Sequence, residues 1–265
     1  MIEKTNRAGR RKADDAVDKL GQEIASCRLL PGQRLPTEAT LGKQLGISRP
    51  SLREALRVLS LKGLVESRTR RGTTVRDQDR WDYLDHDVLR WMVAGSGGRD
   101  LMDDLLAVRR IFEPPAARLA AQRATDEQIQ AIETAYEGMK ASLPRDLRAG
   151  HDYDLAFHQA IADATGNALL SCLASAIRTA LLASFKIGAK ACASYQRSLR
   201  QHGAVVAAIR ARAPVAAERK MRVLLADTEG DLNVAMAPRS GSEIQKQPQT
   251  ASTRRKAHDH AQSNR

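Results

Sequence analysis

Aromatic residues, cysteines and long uncharged apolar runs are all scarce in this chain. Only 3% of its 265 residues are Phe, Trp or Tyr, while 42% fall in the wider hydrophobic set. With Ala, Leu, Ile and Val supplying most of the apolar side chains, the composition favours helix. Cys27, Cys172 and Cys192 are scattered and form no CxxC pair. Their odd number and spacing point to the reduced thiols of an intracellular protein. The opening MIEKTNRAGRRK has no apolar stretch of the kind a secretory signal needs. No apolar run reaches bilayer length. Together these absences lead us to expect a soluble cytoplasmic protein with no membrane partner. HExxH, GxSxG, Walker and GxGxxG patterns are missing too, which weighs against an enzyme.

What is present is positive charge, unevenly spread. Residues 1–76 carry 17 Lys/Arg against 8 Asp/Glu, whereas residues 77–237 carry 20 against 21. The tail from Pro238 carries 6 against 2, and the whole chain has a net charge of +12. A basic front end on a neutral body is the footprint of nucleic-acid binding through one domain.

The stretch from Pro31 to Val75 gives that charge a shape. Apolar residues at Ala13, Ala16, Val17, Leu20, Ile24 and Ala25 follow helical spacing, and Pro31-Gly32 then imposes a turn. A short helix is predicted from Glu38 to Leu45. After Gly46, Ser48 is placed to cap a third helix, with Pro50 in its first turn. Leu52, Ala55, Leu56 and Leu59 form the buried stripe of that helix, and Arg49, Arg53 and Arg57 share another face. Leu64–Arg68 and Thr73–Val75 read as strands around the basic turn Arg70-Arg71-Gly72. The product is a winged helix-turn-helix, a shape that enters the DNA major groove.

From Asp100 to Leu232 about six helical segments follow, with boundaries at Gly95–Gly98, Pro144, Gly166-Asn167, Gly188 and Pro214. The expected fold class is mostly α: an N-terminal winged helix-turn-helix with a small β-wing, then an all-α helical bundle. The divisions are a disordered basic arm (1–12), the reader (13–76), a linker (77–83), the helical domain (84–237) and a disordered basic tail (238–265). Trp81 and Trp91 are read as packing near the linker.

These motifs resemble a known family. PGxxLPTE, SRPSLREALRVLSLKGLVE and RRGTTV are similar to the reader of GntR-type transcription regulators. LLAVRRIFEPPAARLAA, DLAFHQAIADATGNALL and QHGAVVAAI resemble the helical effector domain of the FadR-like branch. WDYLDHDVLRWM further resembles members that answer to sugar acids such as galactonate. The resemblance runs from about Val17 to Leu232. It implies a homodimeric repressor, a palindromic double-stranded operator, and a small carboxylate or sugar acid as effector.

The resemblance places DNA contacts at Ser48, Arg49, Ser51, Arg53, Arg71 and Gly72. Arginine suits the role, since its planar fork can grip guanine O6 and N7. Ser48 also serves as a helix cap, and Arg57 can equally pair with Glu54 or Glu66. The family often has arginine where this chain has Ala39, so one contact is missing; Arg34, Lys43 and the basic arm are the nearby replacements.

Asp154 and His158 stand four apart, on one helix face, as ligands for a divalent metal such as Zn²⁺, Ni²⁺ or Mn²⁺. The resemblance adds His202 as a third ligand. The family's fourth ligand, a histidine, is Leu224 here, and His151 is the nearest substitute. A metal-free pocket joining Asp154, His158 and His202 by hydrogen bonds is the rival reading. Arg109 is expected to meet the effector carboxylate, or else to pair with Glu113 four residues on. Asn167 is expected either at the effector or as a helix cap. Two other functions fit less of the chain: a metal-dependent enzyme acting on small carboxylates, and a nonspecific architectural DNA-binding protein.

Overall fold

The computed structural model describes residues 2–68, 72–95, 98–143, 145–185 and 192–236. The reader is built from α1 (Ile2–Ala25), α2 (Glu38–Leu45), α3 (Arg49–Leu61), β1 (Val65–Arg68) and β2 (Gly72–Val75). α1 starts at Ile2, ahead of the apolar stripe that begins at Ala13, so it takes in residues 2–12 of the basic segment expected to lack structure.

Local chemistry sets the reader's boundaries. The Thr37 hydroxyl accepts from Thr40 N–H to open α2, and Gly46, at φ 65°, closes it in the left-handed region glycine tolerates. Ser48 caps α3 by accepting from Ser51 N–H, with Pro50 in the first turn where its missing donor costs nothing. Leu52, Ala55, Leu56 and Leu59 are buried as the stripe predicts. The wing is antiparallel, pairing Val65 with Val75 and Arg68 with Gly72. Arg34 adds a bridge to Thr74 on the outer side of β2.

A 3-10 turn at Gln78–Arg80 leads into α4 (His86–Ala94), which Asp85 caps by accepting from Asp87 and Val88 N–H. Six helices follow among the described residues: α5 (Gly98–Arg123), α6 (Asp126–Ser142), α7 (Leu147–Asp163), α8 (Ala168–Phe185), α9 (Cys192–Arg210) and α10 (Pro214–Met236). α6 opens on a capping box between Thr125 and Gln128. The expected boundaries at Pro144 and Gly188, and the tail from Pro238, lie outside the described residues.

Two apolar clusters hold the chain together. One is continuous from the reader through α4 to the first part of α5 and to α8, and includes Leu20, Leu52, Trp91, Phe112, Leu155 and Ile177. The other joins α6, α9, α10 and the rest of α5, with Phe157 and Ile161 of α7. α5 and α7 contribute to both clusters; the buried polar residues are Arg109 and Glu113 on α5, Thr165 in the turn after α7 and His202 on α9.

Trp81 and Trp91 are both buried, as linker packing predicts. Trp91 lies against Gly21 of α1, where an added Cβ would fall 2.5 Å from its ring, and its indole N–H donates to Asp18 Oδ1 at 3.1 Å. The cations of Lys62 and Arg90 stand 5.9 and 5.8 Å from the same ring system. Lys62 Nζ also contacts Asp85 and Asp87, at 2.6 and 3.0 Å. The joint between reader and bundle is therefore packed and paired rather than a bare tether.

Candidate functional site: a basic reader face and a buried polar cluster

Arg49, Arg53 and Arg57 lie exposed along α3, opposite its buried stripe. Arg53 Nε meets Glu38 Oε2 of α2 at 2.9 Å, and Arg57 pairs with Glu54 at 2.8 Å. Both pairs are open to solvent, so each contributes little stability and can be exchanged for phosphate or base contacts. Ser48 and Ser51 sit at the start of α3 with their hydroxyls 3.0 Å apart. Gly72 takes φ +80°, and a Cβ there would lie 3.0 Å from Arg34 Nε. A glycine at this point thus makes room for the Arg34 guanidinium beside the wing. Arg71 lies outside the described residues.

The second cluster is buried in the bundle. α7 carries Asp154 and His158, and α9 brings His202 from 44 residues farther along; one donor atom of each lies within 4.8 Å of the others. His202 Nε2 is 2.9 Å from Asp154 Oδ1, and its Nδ1 is 2.8 Å from the Ser198 carbonyl. His158 Nδ1 is 2.7 Å from Glu113 Oε2. Glu113 in turn meets Arg109 Nε at 2.5 Å, so the i to i+4 pairing is formed. Arg109, Glu113 and His202 are each 5% exposed or less.

The charges are strongly coupled. Burial pushes the Glu113 carboxyl up, but Arg109 and His158 outweigh it and hold it down at about 2. Burial likewise raises Asp154, yet His202, His158 and Arg109 keep it well below the ordinary carboxylate range. Against the cost of burial, Glu113 and Asp154 raise Arg109. Both carboxylates are thus ionised at neutral pH.

The residues present suit a divalent metal. A carboxylate and two imidazoles converge; His202 has its Nδ1 on the Ser198 carbonyl, which orients the ring and leaves Nε2 for an ion, while His158 Nδ1 lies 2.7 Å from Glu113 Oε2 without an aligned hydrogen bond. His202 Nε2 is a buried atom without an aligned hydrogen bond despite its closeness to Asp154. Three protein ligands leave positions for water or ligand oxygens. Leu224 is fully buried in the second apolar cluster, so α10 presents a hydrocarbon surface where the family has an imidazole. His151 is not in the converging group.

Beside this cluster lies a cavity of about 10 Å³. Arg109, Glu113, His158, Gln159 and Arg178 give it polarity, and Phe112, Leu155 and Ile177 are among its apolar walls. Sequence reasoning missed Glu113, Gln159 and Arg178 as site residues. Arg178 did carry a signal, being the one charged residue in the 18-residue helix α8. Asn167 does not line this cavity; its Oδ1 accepts from Leu169 N–H at 3.0 Å and caps the start of α8.

A winged helix-turn-helix joined by a continuous core to a bundle with a polar centre defines a ligand-sensing transcription regulator. The family models agree: "Bacterial regulatory proteins, gntR family" matches residues 12–75, and the FCD domain matches residues 104–227. The chain belongs to the GntR family of bacterial regulatory proteins, with an FCD domain as its effector-binding body. It is 34% identical over 220 residues to the galactonate operon transcriptional repressor of Escherichia coli K12, covering 82% of this chain and 95% of that one. It is 30% identical over 215 residues to the HTH-type transcriptional regulator LutR of Bacillus subtilis 168, covering 79% and 96%. Among solved structures, Listeria monocytogenes Lar shares the fold at TM-score 0.57 and 17% identity, over 81% of this chain and 93% of that one. Some FCD domains bind metals, and this chain has a His/Asp group of that kind. Among the described residues no helix is long and apolar enough to cross a membrane.

Proposed function

We propose that the protein is a cytoplasmic homodimeric repressor that binds a palindromic operator and responds to a small carboxylate or sugar acid held in the helical domain. It acts by binding rather than turnover. Ser48, Arg49, Ser51, Arg53, Arg71 and Gly72 contact DNA, and Arg34 supplies the cation missing at Ala39. Asp154, His158 and His202 hold one divalent metal, whose role is to fix the position of effector oxygens.

The observation that carries this reading is the continuous apolar cluster from the reader to the cavity wall. α8, which lines the cavity, packs on α4, and α4 packs on α1 of the reader. Thr179 Oγ1 lies 3.3 Å from His86 Nδ1 across the α8–α4 contact. An effector that prefers one setting of α8 biases the reader by its differential affinity for the two settings. Two readers related by two-fold symmetry call for matched half-sites about one helical turn apart.

The test uses the full chain and fluorescent duplexes from its own promoter region. Preference for a palindrome over scrambled duplex, falling with salt and changed by galactonate or a related acid, is expected. Equal affinity for all duplexes overturns the repressor reading. Chelation should lower the melting temperature, and restored Zn²⁺, Ni²⁺ or Mn²⁺ should raise it; a well-saturated site adds roughly 2–4 kcal/mol. An unchanged melt in both arms removes the metal.

A further inference from the structure

Among the described residues, the cavity beside the candidate metal ligands contains three buried polar atoms without a hydrogen-bond partner, and only one of them, His158 Nδ1, has a counter-charge at hand, the Glu113 carboxylate 2.7 Å away. The Nε of Arg178 and the Oε1 of Gln159 both lack a hydrogen-bond partner among the described residues. Such groups cost about 1–3 kcal/mol each while unsatisfied. A ligand that satisfies both recovers that cost.

The other charged groups of the cavity have a counter-charge beside them. Arg109 is neutralised by Glu113 at 2.5 Å, and the second oxygen of Glu113 is 2.7 Å from His158 Nδ1. The charge of Arg109 is therefore consumed by Glu113, and among the described residues Arg178 is the cation of the lining with no carboxylate paired to it.

The Gln159 amide is held in one orientation. Its Nε2 donates to Asp163 Oδ1 at 2.8 Å and to the Ser171 carbonyl at 3.2 Å. A flipped amide would set its oxygen against a carboxylate and a carbonyl, two acceptors facing a third. Oε1 is thus a dedicated acceptor, as Arg178 Nε is a dedicated donor, and both belong to the same lining.

We propose that Arg178 and Gln159 form the ligand-reading pair of the helical domain: Arg178 takes the carboxylate of a hydroxy acid, and Gln159 accepts from its hydroxyl. The inference rests on the reading of this body as an effector domain. It shifts recognition of the acid from Arg109, whose charge is consumed by Glu113, to a side chain on α8. The cavity of about 10 Å³ has room for a single water-sized sphere, so a hydroxy acid enters only as α8 moves away from α5 and α7. The helix that gives way is the one that contacts α4.

The experiment is titration calorimetry on the full-length protein, with and without Zn²⁺, using matched probes. These are galactonate, gluconate, malate and lactate, the same-length acids without hydroxyls, and the neutral amide of each acid. Wild type should prefer a hydroxy acid over its unhydroxylated counterpart by about 10-fold or more, since a buried acceptor left unpaired penalises the analogue. Gln159→Met should bring that ratio near one while carboxylate binding persists. Arg178→Met should weaken every acid by about 10- to 100-fold, with Arg178→Lys retaining part of the affinity.

Acids that bind wild type and Arg178→Met equally overturn the pair, as does a wild-type ratio of hydroxylated to unhydroxylated acid near one. The second outcome needs no variant, so a poorly folding Arg178→Met does not protect the proposal. If none of the acids binds, the proposed function itself fails and the pair falls with it; if acids bind without these preferences, the pair alone falls.

Discussion

Replacing Gly21 by alanine tests the joint between reader and bundle, because two known effects oppose each other there. Gly21 lies within α1, where Gly→Ala should stabilise a helix by about 0.8–1 kcal/mol. Yet a Cβ at Gly21 would stand 2.5 Å from Trp91 Cε3 and Cζ3 and 2.6 Å from Cη2. The indole cannot easily yield, being 1% exposed and donating to Asp18. Overpacking of this kind costs about 1–3 kcal/mol, so the net change in wild type is a loss of about 1 kcal/mol. Trp91→Leu removes the obstructing ring, and in that background Gly21→Ala should show its gain of about 1 kcal/mol. The double-mutant cycle then has a coupling of about 2 kcal/mol, well above the ~0.5 kcal/mol expected of independent sites. Urea denaturation followed by circular dichroism measures all four proteins. If Gly21→Ala stabilises both backgrounds equally, Trp91 is not seated on Gly21 and the packed joint is refuted.

Further predictions concern the other parts of the chain. Gly63→Ala should destabilise by about 2–4 kcal/mol in the same assay, since φ is +80° and a Cβ would fall 2.1 Å from the Arg80 carbonyl oxygen. Arg53→Ala should weaken operator binding by about 1–3 kcal/mol, or reduce the salt slope by about one if its contact is to phosphate; anisotropy titrations at several salt concentrations separate the two. Leu224→His should tighten metal binding in chelator competition while costing about 2–4 kcal/mol of metal-free stability, and unchanged affinity would place α10 away from the ion. For Asp87, burial raises the carboxyl but Arg90 and Lys62 outweigh it and lower it from 3.8. Its stabilising contribution is therefore complete above pH 3.8 and declines as pH falls below that. Asp87→Asn should flatten this part of the acid limb of thermal stability, by less than about 1 kcal/mol because the pair is partly exposed.

The reader was legible in the sequence because its signals are local. Ser48 and Pro50 start α3 through backbone groups three residues away, and the 3.6-residue spacing of Leu52, Ala55, Leu56 and Leu59 decides its buried face. The pairing of Asp154 with His158 was equally visible, as one turn of one helix. The fate of Arg109 was left between two partners, since helix spacing alone cannot weigh a ligand against Glu113. With the side chain 4% exposed, a nearby carboxylate is what makes burial of its charge tolerable. The basic segment 1–12 carries no apolar period, so nothing in its composition anticipated the start of α1 at Ile2.

By itself, then, the sequence determined the class of fold, the basic reader, and the ligand types in the bundle, all through patterns that act within a few residues. Tertiary structure alone decided which distant side chains meet. It brought His202 to Asp154 across 48 residues, set Arg178 of α8 and Gln159 of α7 in the lining of one cavity, and laid Trp91 on Gly21. Those contacts depend on how helices cross and which buried charges neutralise one another. The chain sequence records the groups but not the geometry that selects their partners.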